Sequence, residues 1–229
     1  MSEKPSIKIM KNGPYVVSGN VPMDEEYIVS DKEGAATAYH VSQHYPRQEQ
    51  YSLCRCGQSK KMPYCDGAHL HSNFNGTETA SHKPFDEQAE VIEGPDLIMQ
   101  DVEDLCASAR FCHCGGGTWD LVENPDGPQD REMAIFGACN CPAGRLVVRD
   151  ALTDELIEPH FEPSISILQD PAAGASGPIY VKGGIPITSA NGYQYEVRNR
   201  VTLCRCGETS NKPFCNGAHG YYRFRDDKK

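Results

Sequence analysis

Cys54-Arg55-Cys56-Gly57-Gln58-Ser59-Lys60-Lys61-Met62-Pro63-Tyr64-Cys65-Asp66-Gly67-Ala68-His69 returns later in the chain as Cys204-Arg205-Cys206-Gly207-Glu208-Thr209-Ser210-Asn211-Lys212-Pro213-Phe214-Cys215-Asn216-Gly217-Ala218-His219. Cys, Pro and His keep their places, so each copy supplies three thiols and one imidazole. Cys54 and Cys56 alternate by two, which puts both side chains on one face of an extended segment. Cys65 and His69 are four apart and share a face of one helical turn. Asp66 and Asn216 stand where that turn begins, and both side chains cap free N–H groups. The start of a turn also favours thiolate, the metal-binding form. Pro63 and Pro213 restrict φ before the last Cys. The Ser59 and Thr209 hydroxyls are placed to bond the loop or a ligand sulfur. Arg55 and Arg205 sit between ligands and face away from them; they are expected as solvated charges or as guides for acidic partners.

The pattern Cys-x-Cys-x2-Ser/Thr-x3-Pro-x-Cys-Asp-Gly-x-His resembles the CDGSH iron-sulfur domain family. The resemblance implies a [2Fe-2S] cluster in each copy, with Cys54 and Cys56 on one iron and Cys65 and His69 on the other. It assigns Cys204, Cys206, Cys215 and His219 in the same way. The second copy departs from the pattern by having Asn216 for Asp. A His ligand raises the potential above that of an all-Cys cluster. It also makes the cluster acid-labile, because imidazole binds iron only when neutral. Three Cys and one His is equally a structural zinc set, and spacing alone leaves zinc open.

A second repeat precedes each motif. Gly13-Pro14-Tyr15-Val16-Val17-Ser18-Gly19 is echoed by Gly177-Pro178-Ile179-Tyr180-Val181-Lys182-Gly183. Both are β-rich, and each unit continues into a strand that enters the first Cys pair, Gln50 to Leu53 or Arg200 to Leu203. The first unit is longer between phrase and motif, which predicts an extra loop or hairpin within residues 24–50. Phe74 and Phe224 follow the two motifs in register, as expected of core aromatics. Repeats define the folding unit. The expected fold is α+β and β-rich, with two cysteine modules sharing a β-cap about a pseudo-two-fold axis. The divisions are a first module at 1–75, a connector at 76–95, an α+β middle domain at 96–170 and a second module at 171–229. The resemblance implies a shared cap of this kind, so the chain is expected to be a monomer holding an internal pseudo-dimer.

The middle segment carries Cys106, Cys112, Cys114, Cys139 and Cys141. Leu121-Val122 is expected as strand and 129–139 as helix. Cys106-x5-Cys112 with Cys141-Pro142-Ala143-Gly144-Arg145-Leu146 resembles a divergent ferredoxin-like module, although the tight Cys-x2-Cys-x2-Cys run is missing. Cys112 and Cys114 with Cys139 and Cys141 also suit zinc, and buried unligated thiols suit the composition as well. Trp119 is expected in the core, 171–177 as a flexible linker, and the tail from Arg225 as frayed.

With a net charge of −10, the chain is not expected to bind nucleic acid, whose phosphates call for basic stripes. No stretch has the ~20 apolar residues of a membrane span, and no signal core opens the chain. The expectation is a cytoplasmic protein, in a compartment that keeps its 11 cysteines reduced for metal. Function is expected as one-electron transfer or cluster transfer to redox proteins or apo-acceptors. The alternatives are a zinc-stabilised interaction module and, with no Cys-x-x-Cys pair or nucleophile–base set present, a thiol catalyst.

Overall fold

The computed structural model describes residues 4–227. In chain order the strands are β1 (Ser6–Ile9), β2 (Tyr15–Ser18), β3 (Met23–Ser30), β4 (Ala36–His44), β5 (Gln50–Leu53), β6 (Glu90–Glu93), β7 (Leu97–Asp101), β8 (Leu146–Asp150), β9 (Leu156–Ile157), β10 (Ser164–Asp170), β11 (Ala175–Lys182), β12 (Ile187–Thr188) and β13 (Arg200–Leu203). The helices are α1 (Thr118–Glu123), α2 (Pro128–Cys139) and α3 (Ala218–Tyr221). The fold is α+β and β-rich, as expected.

Two sheets are built to one plan. In the first, β1, β2 and β5 are antiparallel neighbours; in the second, β10, β11 and β13 repeat that order. Each sheet then takes a strand from the other half. β12 pairs parallel with β1, setting Ile187 beside Ile7, and β3 pairs parallel with β10, setting Met23 beside Ile165. This exchange is the shared β-cap. Equivalent positions are buried together in one core: Ile7 and Ile165, Ile9 and Ile167, Val17 and Val181, Val21 and Ile185, Leu53 and Leu203. A module of this size has little core of its own. Pooling side chains worth about 1.5–3 kcal/mol each when buried gives both halves one interior.

The extra length of the first unit is the β3–β4 hairpin, whose Tyr39 packs on Phe111 and Tyr180. The third sheet, β6-β7-β8-β9, belongs to the middle segment and packs under α1 and α2 around Met99, Leu121, Ala134 and Val148. Pro128 opens α2, where its missing N–H costs nothing. β6 therefore lies inside the 76–95 stretch, and β10 lies in the second module's sheet rather than the middle one.

Three local expectations are corrected. Leu121 and Val122 are in helix α1, where with Thr118 they form the buried i, i+3, i+4 face; a two-residue apolar pair was too short to fix a period. Residues 171–174 are a tight turn and 175–177 already belong to β11, so the stretch is not a flexible linker. Their small side chains serve close packing, since a Cβ on Gly177 would stand 3.0 Å from the Leu168 Cβ. The tail is tied down through Asp226, whose N–H donates to Ser176 and whose carboxylate accepts from Ser176 and Gln169. Lys228 and Lys229 lie outside the described residues, as does the start, Met1 to Glu3. Among the described residues no helix is long and apolar enough to cross a membrane.

Candidate metal centres

Each cysteine loop is sewn to the strand that enters it. The Cys54 N–H donates to Pro63 O and the Cys65 N–H to Ser52 O; Cys204 to Pro213 O and Cys215 to Thr202 O repeat this. The last Cys is thus drawn back beside the first two. The Ser59 hydroxyl donates to Tyr64 O and accepts from the Lys61 N–H, and Thr209 does the same between Phe214 O and Asn211. Both hydroxyls brace the loop. Asp66 accepts from the Lys60 and Ala68 N–H groups. Asn216 keeps the second bond, from Ala218, and turns its amide to donate to the Ser210 hydroxyl.

The donors stand as pairs. Cys54 and Cys56 Sγ are 3.8 Å apart, and Cys204 and Cys206 Sγ are 3.5 Å apart. The Nδ1 of His69 is 3.4 Å from Cys65 Sγ, and that of His219 is 3.4 Å from Cys215 Sγ. A tetrahedral centre with metal–sulfur bonds of about 2.3 Å holds two thiolates about 3.8 Å apart. The pairs therefore fit as edges of such centres. Among the described residues, no three His, Cys, Asp or Glu side chains converge to hold a single metal ion. Within each first pair one thiol donates to the other, lowering Cys54 and Cys204 and raising Cys56 and Cys206. Burial raises Cys65 and Cys215. Gly67 and Gly217 N–H groups point at those two sulfurs and offset part of the burial.

The arginines between the candidate ligands are not the solvated charges expected. Arg55 and Arg205 are 2% and 1% exposed. Arg55 donates to Met10 O and Gly76 O and lies over Tyr15 and Phe74. Arg205 donates to Gly177 O and Leu168 O, lies over Phe224 and pairs with Asp226. The side opposite the ligands is the protein interior, so these residues bind the loop to the Gly-Pro phrase and to the chain beyond it. Phe74 and Phe224 are the planes on which they rest. Arg205 and the hydroxyl and amide bonds of Ser176 and Gln169 hold Asp226 below the ordinary carboxylate range against its burial. Stability from Asp226 is then complete above about pH 4 and is lost as pH falls through the lowered folded-state value. Thermal midpoints of wild type and Asp226→Asn should differ at neutral pH and converge in acid.

The two loops differ in surroundings. Cys65 and His69 are half-buried, whereas Cys215 and His219 are buried. Burial lowers the His219 imidazole to about 4. Tyr15 of the first half donates to Cys204 O and Pro213 O, with Ile179 at its repeat position. Thr79 and Ala80 bond Lys212, and Asn211 bonds Asp104 O. Nothing in the repeat pattern signalled these contacts.

The five middle cysteines divide. Cys106, Cys112 and Cys141 line a cavity of about 310 Å³ together with Trp119, Arg145 and His219. Burial, with Cys141 and Cys106 nearby, pushes the Cys112 thiol up to about 12. Bare thiolates are disfavoured there, and a cationic group would offset that cost. Cys114 instead donates to Ala36 O and Cys139 to Ile157 O. The Cys112, Cys114, Cys139 and Cys141 zinc set is therefore overturned, because two of its members face elsewhere. Trp119 lines the cavity wall and donates to Asp101, which also holds Arg145.

Residues 12–70 and 176–220 match the family described as iron-binding zinc finger CDGSH type. Residues 92–151 match the family described as divergent 4Fe-4S mono-cluster. No curated protein and no solved structure matches the chain.

Proposed function

We propose that this chain, an iron–sulfur binding protein with two CDGSH-type segments flanking a divergent 4Fe-4S segment, is a one-electron carrier rather than an enzyme. Cys54, Cys56, Cys65 and His69 would hold one [2Fe-2S] cluster and Cys204, Cys206, Cys215 and His219 another. The observation that carries this is the paired spacing: two donors that follow the strand directly, then two whose Cys is bonded back to that strand. Two irons bridged by sulfide ask for two such edges, and one zinc ion asks for four donors around a single point. Cys106, Cys112 and Cys141 would hold a third iron–sulfur group in the cavity, consistent with the segment's family.

A protein-bound cluster of this kind supplies one-electron chemistry. With four donors from each loop, the protein would fill every terminal position and leave no iron open to a substrate. Backbone N–H groups on Cys65 and Cys215, and on Cys56 from Gln58, stabilise the thiolate charge. The partners implied are redox proteins or apo-acceptors of a cluster, without nucleic acid or membrane, and the chain would act as a monomer in the cytoplasm.

The test is iron and acid-labile sulfide counted on anaerobically purified protein, with a Mössbauer spectrum. Cys106→Ser, Cys112→Ser and Cys141→Ser should each lose the cavity's iron and keep that of both loops. Cys114→Ser and Cys139→Ser should lose none. Zinc in place of iron and sulfide would sink the proposal.

A further inference from the structure

The two cysteine loops are near copies in sequence, yet one is covered and the other bare. A Cβ on Gly217 would stand 2.3 Å from Ser108 Oγ and 3.2 Å from Cys106 O, so the middle segment lies directly on the second loop. At the equivalent Gly67 nothing lies within 4 Å. Cys215 packs with Ala107, Ala143 and Cys141, and His219 forms part of the wall of the Cys106, Cys112 and Cys141 cavity. On its other side the second loop meets the first. A Cβ on Gly57 would lie 2.2 Å from Cys206 O, and one on Gly207 would lie 2.8 Å from Cys56 O.

The three candidate centres therefore stand in a fixed order. The cavity adjoins the second loop through His219, the second loop adjoins the first through the Gly57–Gly207 seam, and the first loop faces solvent. Its surface carries Leu70, 73% exposed, and the exposed Lys60 and Lys61. The covered copy has Ser210 and Asn211 in place of those lysines. The covered copy's Lys212 is half-buried, so the exposed loop cations stand at the bare site, with the Asp66 carboxylate beside them.

We propose that the chain is an ordered electron relay, in which the first loop is the port for an acidic one-electron redox protein and His219 couples the second loop to the cavity. The proposal rests on the cluster assignments above. When loaded, Cys54, Cys56, Cys65 and His69 would hold the centre that takes one electron from the partner, and Cys204, Cys206, Cys215 and His219 would hold the centre that accepts it next, so the partner is oxidised by one as the relay is reduced by one. No bond forms or breaks. Burial of His219 and Cys215 keeps partners from bypassing the port.

The test uses the full chain, loaded anaerobically, with iron and sulfide counted on every sample. In the dithionite-reduced wild type, the EPR signal of the second loop should show spin–spin interaction with the cavity centre. Cys141→Ser should abolish that interaction while both loops keep their iron. Reduction of the second-loop centre by reduced, acidic plant-type ferredoxin should be lost in Cys65→Ser and slowed in the Lys60→Glu/Lys61→Glu double variant, whose iron content and EPR spectrum stay those of wild type. The double variant leaves the loop ligands untouched, so it still decides the question if Cys65→Ser fails to fold. With all three centres present, an unchanged second-loop signal in Cys141→Ser, or undiminished reduction without the port, overturns the relay but leaves the cluster assignments standing. Wild type without iron in the cavity removes the third centre itself, and the relay with it.

Discussion

Arg205→Met lowers unfolding stability by about 3–5 kcal/mol, the cost of breaking a buried charge pair from one side. Arg205 is 1% exposed, and its removal leaves Asp226 without its counter-charge and Gly177 O and Leu168 O without their donor. Methionine fills part of the volume, so the loss is electrostatic and hydrogen-bonding more than a cavity effect. The tail should come away with it, because Asp226 is the point at which residues beyond Phe224 are held. Denaturant midpoints of Arg205→Met and of Arg205→Met/Asp226→Asn check this: the second change should restore part of the loss, since it removes the stranded charge. No recovery in the double variant would mean that the pair is not the source.

The second large effect is at the seam. Gly57→Ala places a methyl 2.2 Å from Cys206 O, at a φ of +71°. Left-handed backbone costs an alanine about 1–2 kcal/mol, and overpacking against main chain adds about 1–3 kcal/mol. The neighbour is the main-chain carbonyl of Cys206, itself a proposed ligand, which cannot swing aside as a long side chain would. Both loops should therefore bind less iron, although only one is altered. Gly67→Ala is the control, with φ +87° and open space. It should cost only the conformational part, about 1–2 kcal/mol, and leave the second loop loaded. Iron per chain and thermal midpoints of the two variants compare them directly. Equal effects would show that backbone conformation, not the seam, sets the cost.

Much of this was legible in the sequence because the chain states it twice. The loops, the strands entering them, the hairpin between β2 and β5 and the paired β-cap all follow from aligning one copy on the other. What repetition could not show is what differs between the copies. The covering of Cys215 by Ala107 and Ala143, and the anchoring of Lys212 by Thr79, involve residues present once. For Arg55 and Arg205, alternation tells which way the side chains face but not that the protein interior lies there. Arg200 shows the same limit. It reads as an ordinary strand residue before the motif, yet it is buried, paired with Glu158, and donates to Ala138 O and Cys141 O. Gathering Cys106, Cys112 and Cys141 while excluding Cys114 and Cys139 is decided by how β7, β8 and the helices pack. Cysteine spacing carries no record of that packing.

The exchange of β3 and β12 between sheets bears on how such a molecule diversifies. Two identical subunits are bound by their symmetry axis, so any cover laid over one site is laid over its twin. Joining the halves in one polypeptide removes that obligation. One site is free to be enclosed and specialised for traffic inside the molecule while its sibling keeps an open face, and a segment inserted between them has two unlike neighbours to choose from.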